Sequence, residues 1–143
     1  ILEKVLAELS TNAGLLGLSG GVSGDVRDLE QAAAQGNADA QLALDVFVAE
    51  VRRQLGGMLV ALGGCDALVF TGGIGENGVD IRSATCSGLG ELGIALDAGK
   101  NSAVVRGAET RIDAADSRAQ IWIIPTNEEL IVARQTVGAL TSM

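Results

Sequence analysis

Glycines at a fixed spacing mark the first candidate site in this sequence. The segment from Val69 to Arg82, VFTGGIGENGVDIR, contains the pattern Gly-x-Gly-x-x-Gly from Gly73 onward, directly after an apolar run typical of a buried strand. In dinucleotide-binding domains this pattern lets the backbone approach a pyrophosphate at the start of a helix. The same glycines are equally compatible with a tight strand-to-helix turn that binds nothing, because glycine adopts backbone conformations that other residues avoid. The spacing alone leaves both interpretations open.

Several features count against a dinucleotide. Glu76 lies inside the pattern, where its charge would repel a pyrophosphate. Asp97 follows at about the distance of a ribose-binding acid, but residues 98–118 lack the helical apolar period that the next helix of such a domain requires. A P-loop is excluded because no Gly-Lys-Ser/Thr follows the glycines. A dinucleotide-binding oxidoreductase domain is therefore kept only as a distant alternative.

The segment IPTNEEL, residues 124–130, is the second candidate site. Thr126 and Glu129 have the spacing of a capping box, which predicts that the Glu129 carboxylate accepts a hydrogen bond from the Thr126 amide. Glu128 has no such task and lies in the first helical turn, at the carboxyl end of a predicted strand. Its carboxylate is either a solvated group that favours the helix dipole or a hard oxygen ligand for Mg²⁺, bound directly or through water.

A third candidate site is the run from Ser23 to Asp28. Either Ser23 or Asp25 could cap the helix that begins here. Arg27 would lie in the first turn of that helix, which is the unfavourable end for a cation in the helix dipole. This position favours a use for the guanidinium outside the helix, such as stacking on a base or pairing with a phosphate.

Composition and charge exclude several classes of function. The 143 residues include no histidine, so neither a Ser-His-Asp nor a Cys-His site is possible within them. A net charge of −8 argues against nucleic acid and acidic membrane surfaces as partners. Cys65 and Cys86 are too few for common zinc spacings and are typical of free thiols in a cytoplasmic protein. No signal peptide or membrane-spanning run is visible, and the start at Ile1 predicts that an N-terminal part is absent.

The elements that must position these sites follow from apolar periodicity and from Gly and Pro. We predict a helix over residues 2–10, then a glycine-rich loop at 14–28 that leads into a second helix ending at about Ala34. Further helices are predicted from Asn37 to Gly63 and over 77–92 and 126–140, and strands over 67–71, around 111–113 and over 120–124. Alternating helices and apolar strands predict an α/β architecture with the sheet covered by helices.

Three motifs in this order resemble the C-terminal part of the acetate kinases, which belong to the sugar kinase, Hsp70 and actin superfamily. They are GLLGLSGGVSGDVRDLE (14–30), DALVFTGGIGENGVDIR (66–82) and IPTNEELIVAR (124–134). The resemblance implies an actin-like, ribonuclease H-like lobe with a mixed sheet flanked by helices. Residues 1–143 would then be the C-terminal nucleotide-binding domain of a two-domain acetate kinase whose N-terminal part is absent.

The same resemblance assigns roles to individual residues. The implied nucleotide contacts are Asp25, Arg27, Gly73, Ile74, Gly75, Glu76 and Asn77, and Glu128 would help to hold Mg²⁺. The implied reaction is reversible phosphoryl transfer between ATP and acetate or propionate, giving an acyl phosphate and ADP, in a cytoplasmic homodimer. The catalytic arginines and histidine of the family would lie upstream, so the isolated chain is expected to be inactive. The main alternative is a non-catalytic module for nucleotide binding and dimerisation.

Overall fold

The computed structural model describes residues 1–141, apart from the side chain of Glu128, at which the last helix begins. Over this range the helices are α1 (Leu2–Thr11), α2 (Gly14–Leu18), α3 (Val26–Ala34), α4 (Ala38–Leu62), α5 (Gly72–Asn77), α6 (Val79–Cys86), α7 (Ala98–Ser102) and α8 (Glu128–Thr141), with a 3₁₀ turn at Gly90–Leu92, and the strands are β1 (Ala67–Phe70), β2 (Thr110–Arg111) and β3 (Gln120–Ile123). None of the described helices is both long and apolar enough to cross a bilayer.

The three strands form one mixed sheet in the order β1-β3-β2. Central β3 pairs in parallel with β1, with Ile121 opposite Leu68, and antiparallel with β2, with Trp122 opposite Arg111. Along β3 the side chains alternate between faces, so that Ile121 and Ile123 are both buried. The predicted mixed sheet is therefore confirmed.

Two apolar clusters form the core. The first joins α3, α4 and α6 and consists of Val26, Leu29, Ala40, Ala43, Leu44 and Ile81. The second lies against the sheet and consists of Cys86, Ile94, Ile112, Ala119, Ile121 and Ile123. Both cysteines are free thiols, and burial raises the pKa of Cys86 to about 11.

The long helix α4 begins and ends where its local sequence predicts. The Asn37 side chain accepts a hydrogen bond from the Ala40 amide at 2.9 Å, which caps the first turn. At the other end Gly63 adopts a left-handed conformation with φ of 74°, which terminates the helix.

A buried arginine on α6 forms hydrogen bonds to residues of α5 and α7. Arg82 on α6 is fully buried, and its guanidinium donates to the carbonyl oxygens of Gly75 and Glu76 at 2.9 and 3.0 Å. It also donates to the side-chain and main-chain oxygens of Asn101 at 2.7 and 3.2 Å. Burial lowers the pKa of Arg82. These contacts hold the C-terminal end of α5 against α6 and α7.

The helix predicted over residues 77–92 is wrong in its bounds, since the structure has a shorter helix, α6, within them. Asn77 is the last residue of α5, and α6 ends at Cys86. The Arg52 side chain on α4 donates to the carbonyl oxygens of Thr85 and Ser87 at 2.7 and 2.6 Å, so it caps the end of α6. Gly88 then adopts a φ of 70°, which is incompatible with a continuing helix.

Two segments predicted as loops contain helices. The glycine pattern itself forms α5, and the segment 14–28 contains α2. Residues 98–118 include α7, which apolar periodicity did not reveal because it is only five residues long. The strand expected around 111–113 is shorter and lies at Thr110–Arg111, while Asp113 forms an isolated bridge with Leu96.

Replacing the buried arginine should be strongly destabilising. We expect Arg82→Ala to lower the free energy of unfolding by about 3 kcal/mol or more, because it leaves the buried oxygens of Asn101 and the half-buried carbonyl oxygens of Gly75 and Glu76 without these donors and creates a cavity. Urea denaturation monitored by circular dichroism measures this. Arg53→Ala is the matched control, since Arg53 is exposed and pairs only with nearby Glu50, and it should change stability by about 0.5 kcal/mol or less. Equal effects of the two variants would contradict this role of Arg82.

Candidate functional site

The glycine pattern forms a short helix at the carboxyl end of β1. Gly72 begins α5 with φ of 70°, a conformation that favours glycine. Before it, the Thr71 hydroxyl donates to the carbonyl oxygen of Ile124 at 2.7 Å. This bond ties the start of α5 to the segment that follows β3. At the other end the Asn77 side chain donates to the Gly73 carbonyl oxygen at 2.8 Å.

The glycines of the pattern do different things. A Cβ on Gly75 would lie 3.1 Å from the carbonyl carbon of Phe70, and one on Gly78 would lie 2.8 Å from the Ile74 carbonyl oxygen. Both positions therefore need glycine for close packing. Gly73 has no such constraint, because its φ lies outside the left-handed range and, apart from its chain neighbours and the backbone of its own helix, no heavy atom of the described structure lies within 4 Å of an added Cβ.

The start of α3 places an ion pair beside this helix. Asp25 is the N-cap, and its side chain accepts a hydrogen bond from the Arg27 amide at 2.9 Å. The Arg27 guanidinium also donates to both carboxylate oxygens of Asp25, at 3.1 and 2.6 Å. Hydrogen bonding by Arg27 lowers the pKa of Asp25 to about 2 and raises the pKa of Arg27. Arg27, although it lies at the unfavourable end of the helix dipole, is therefore paired with the neighbouring carboxylate of Asp25.

A first cavity lies between the starts of α3 and α5. Its volume is about 520 Å³, and it contains most of the nucleotide contacts implied by the sequence: Asp25, Arg27, Gly73, Ile74 and Asn77. Glu30 also lines it, and burial together with the nearby charge of Asp80 raises the pKa of Glu30. The fold therefore brings together residues that are far apart in sequence.

A second cavity, of about 590 Å³, lies between α5 and the start of α8. Glu76 lines it, and its carboxylate accepts hydrogen bonds from the Thr126 amide at 2.9 Å and from the Thr126 hydroxyl at 3.2 Å. Asn77 lines both cavities, so the two are adjacent. Of the implied nucleotide residues, Glu76 thus lies in the second cavity, and Gly75 lines neither of the two.

The predicted capping box at the start of α8 is wrong. The acceptor for the Thr126 amide is Glu76, a long-range partner, and not Glu129. The helix begins one residue later than the capping box requires, and Asn127 is its cap, with a side chain that accepts a hydrogen bond from the Leu130 amide at 3.0 Å. The position three residues after the cap is therefore a leucine, which cannot bond back.

The residue expected to bind metal is only partly described. The backbone of Glu128 begins α8, and its neighbours Asn127 and Glu129 line the second cavity. The Glu128 side chain lies outside the described residues. Among the side chains that the structure describes, no group of three or more His, Cys, Asp or Glu residues could hold a metal ion.

Arg106 is a cavity residue that sequence reasoning missed. Its exposed side chain lines both cavities. It lies in the turn between α7 and β2, in a stretch without apolar periodicity, so only the three-dimensional fold brings it to the glycine helix.

Neither a larger cavity elsewhere in the fold nor the dinucleotide alternative agrees with the implied site residues. A larger cavity of about 760 Å³ at the end of α4, lined by residues such as Leu59, Cys65 and Arg118, contains none of the implied site residues. Asp97, the acid that a dinucleotide would require, is the N-cap of α7 and accepts a hydrogen bond from the Lys100 amide at 2.9 Å. Its side chain therefore has a local structural role.

The fold and the two cavities define an α/β lobe with a glycine helix at the carboxyl end of a parallel strand pair. The acetokinase family model matches residues 2–134, and the chain belongs to the acetokinase family. It is 53% identical to acetate kinase from Dictyoglomus turgidum over 129 residues, covering 90% of this chain and 31% of that protein. It is 50% identical to acetate kinase from Deinococcus deserti over 141 residues, which cover 99% of this chain and 35% of that protein.

Solved structures confirm the predicted actin-like α/β lobe. The crystal structure of Porphyromonas gingivalis acetate kinase superposes with a TM-score of 0.83 at 37% identity, covering 94% of this chain and 34% of that one. The crystal structure of a propionate kinase from Francisella tularensis superposes with a TM-score of 0.80 at 38% identity, covering 93% of this chain and 33% of that one. The chain thus spans about a third of the length of these relatives.

The contact between Glu76 and Thr126 can be tested by amide exchange. We expect Glu76→Ala to increase the hydrogen-exchange rate of the Thr126 amide about fivefold, the ratio that corresponds to a net hydrogen-bond contribution of about 1 kcal/mol. Glu129→Ala is the matched control and should leave that rate unchanged. Two-dimensional NMR of the exchanging amides measures both. Faster exchange in Glu129→Ala alone would restore the capping box.

Proposed function

We propose that residues 1–143 are the C-terminal nucleotide-binding part of a two-domain acetate kinase. The whole enzyme would transfer a phosphoryl group reversibly from ATP to acetate, giving acetyl phosphate and ADP. Membership of the acetokinase family and relatives named acetate kinase and propionate kinase support this activity. Phosphoryl transfer requires mainly positioning and charge stabilisation, which a lobe with anchored nucleotide contacts can contribute.

The observation that carries the proposal is the open space beside Gly73. Gly75 and Gly78 are explained by packing, but nothing in the described fold requires glycine at position 73. An alanine there would favour the helix by roughly 0.5–1 kcal/mol. A glycine that costs stability and faces a cavity is explained if a ligand lies against its backbone.

The two cavities suit the two halves of the nucleotide. In the first, Ile74 offers an apolar surface for the base, and Asp25 and Arg27 offer polar groups for the base or ribose. The phosphates would then extend past Asn77 into the second cavity, toward the start of α8. Glu76 would act there mainly by holding the Thr126 turn in place.

Glu128 would help to hold Mg²⁺ at the start of α8. Mg²⁺ keeps several waters and binds through one or two carboxylates plus substrate phosphates, so a single carboxylate at this place would suffice. When bound, Mg²⁺ would neutralise charge on the phosphates. The chain's own contribution is to fix the turn that carries Glu128, through the bonds from Thr71 and to Glu76.

The rest of the active site and the subunit contacts would involve other parts of the enzyme. The carboxylate pocket and the catalytic arginines and histidine would lie upstream of Ile1. Helix α1 has no buried residues and exposes Leu2, Val5, Leu6 and Leu9, and α8 exposes Ile131, Val132, Val137 and Leu140. These apolar faces support the proposal of a homodimer formed partly by this domain. The proposed location of the enzyme is the cytoplasm.

The open space at Gly73 provides a direct test of the function. In the full-length protein we expect formation of acetyl phosphate from ATP and acetate, and we expect Gly73→Ala to raise the KM for ATP about tenfold or more, because an added methyl group would occupy ligand space. Acetyl phosphate trapped as the hydroxamate measures the rate, and circular dichroism checks the fold.

Gly57→Ala is the matched control for this substitution. Gly57 is also helical, and an added Cβ would have no heavy atom within 4 Å apart from those of its chain neighbours and its own helix backbone, but it lines neither cavity. It should leave the KM for ATP unchanged. Equal kinetics of the two variants would contradict nucleotide binding at Gly73, and acetyl phosphate formation by the isolated 143-residue chain would contradict its assignment as an incomplete part.

The metal proposal predicts unequal roles for two adjacent glutamates. In the full-length enzyme Glu128→Ala should raise the Mg²⁺ concentration needed for half the maximal rate about tenfold or more, as expected when a ligand or its support is lost. Glu129→Ala should have a much smaller effect. Rates measured over a Mg²⁺ titration at saturating ATP give both values. Equal shifts for the two variants would exclude Glu128 as the specific metal ligand.

A further inference from the structure

Two arginines line the first cavity, and they differ in what they contact. Arg27 forms two hydrogen bonds with the Asp25 carboxylate, so its charge is compensated within its own turn. Arg106 makes no hydrogen bond or ion pair with any residue in the described part of the chain. Its guanidinium is therefore available to a ligand.

The negative charges around the two cavities mean that an anionic ligand needs a cationic side chain that is not already paired. The chain carries a net charge of −8. Asp25 and Glu30 line the first cavity, and Glu76 and Glu129 line the second. A polyphosphate entering here would be repelled unless a positive group lay close to it. Among the described residues that line these cavities, Arg106 is the one cation whose charge is not already paired with a carboxylate.

The position of Arg106 is fixed by its backbone. It lies in the turn that leads from α7 to β2, where the Ala108 amide donates to the Val105 carbonyl oxygen at 3.2 Å. Gly107 follows with φ of 81°, a conformation that allows the tight reversal. The turn holds the exposed arginine at the place where the first cavity, beside Gly73, meets the second.

We propose that Arg106 binds the phosphates of the nucleotide where the two cavities meet. This inference rests on the proposed function and adds a residue that the sequence motifs do not contain. A guanidinium can donate two parallel hydrogen bonds to phosphate oxygens, which gives both charge compensation and a defined orientation. Arg106 is thus a binding residue that directs the phosphate chain from the adenosine cavity toward α8.

The inference predicts that Arg106 discriminates between nucleotides with and without phosphates. In the full-length protein Arg106→Gln should raise the dissociation constant for ADP about tenfold, the order of effect expected when a charge-assisted hydrogen bond is lost. The dissociation constant for adenosine should stay within about twofold of the wild type, since adenosine has no phosphate for Arg106 to contact. Isothermal titration calorimetry with each ligand at fixed Mg²⁺ measures both.

Two further variants separate the effect of the Arg106 charge from that of its hydrogen bonds and provide a control. Arg106→Lys keeps the charge but loses the paired donors, so its affinity for ADP should lie between those of wild type and Arg106→Gln. Arg53→Gln removes an exposed arginine on α4 that pairs with Glu50 away from both cavities, and it should leave ADP binding unchanged. Because Arg106 is exposed and makes no hydrogen bond or ion pair with a described residue, its variants should keep the circular dichroism spectrum of the wild type.

The possible failures are distinguishable. Wild-type binding of ADP with an unchanged dissociation constant in Arg106→Gln would overturn the role of Arg106 and leave the kinase proposal standing. An equal loss of ADP and adenosine binding would also overturn it, because the effect would then not depend on the phosphates. A wild-type protein that binds neither ligand would overturn the proposed function together with this inference.

Discussion

The buried guanidinium of Arg82 is the interaction on which the arrangement of the site depends. Removing this cation from water is costly, and the cost is offset only because the carbonyl oxygens of Gly75 and Glu76 and both oxygens of Asn101 accept its hydrogen bonds. These acceptors belong to α5 and α7, two short helices that bury little apolar surface of their own. Their positions therefore depend on a polar centre and not on apolar packing alone. Since α5 carries the glycines that face the first cavity, the geometry of that cavity follows from the same centre.

The glycines between residues 72 and 78 differ in what the fold requires of them. Gly72 needs a left-handed backbone, and Gly75 and Gly78 need to lack a side chain so that helix and strand can approach closely. These constraints would exist without any ligand. Only Gly73 within this motif is unconstrained by the described fold, and it is the one that faces both cavities. The sequence alone does not distinguish among these four glycines, whereas their backbone conformations and contacts do.

Features with a local cause could be predicted from the sequence, and features made by distant residues could not. Helix α4 follows from its apolar period, its cap at Asn37 and its end at Gly63. Five of the seven nucleotide contacts implied by the resemblance line the first cavity. The helix expected over residues 77–92 fails because a side chain from α4 caps α6 early. The capping box fails because Glu76 reaches Thr126 from another part of the chain. Spacing within one segment carries no information about such partners.

The two ends of α5 are both tied to the segment after β3. At its start the Thr71 hydroxyl bonds to the carbonyl oxygen of Ile124, and near its other end Glu76 accepts two bonds from Thr126. The strands β1 and β3 lie side by side in parallel, so these bonds join the two adjacent turns at their carboxyl ends. A displacement of the glycine helix would therefore break bonds to the turn that leads into α8. It follows that these bonds fix the first cavity and the start of α8 relative to each other. Under the proposed function, they would also set the distance between the base of the nucleotide and its phosphates.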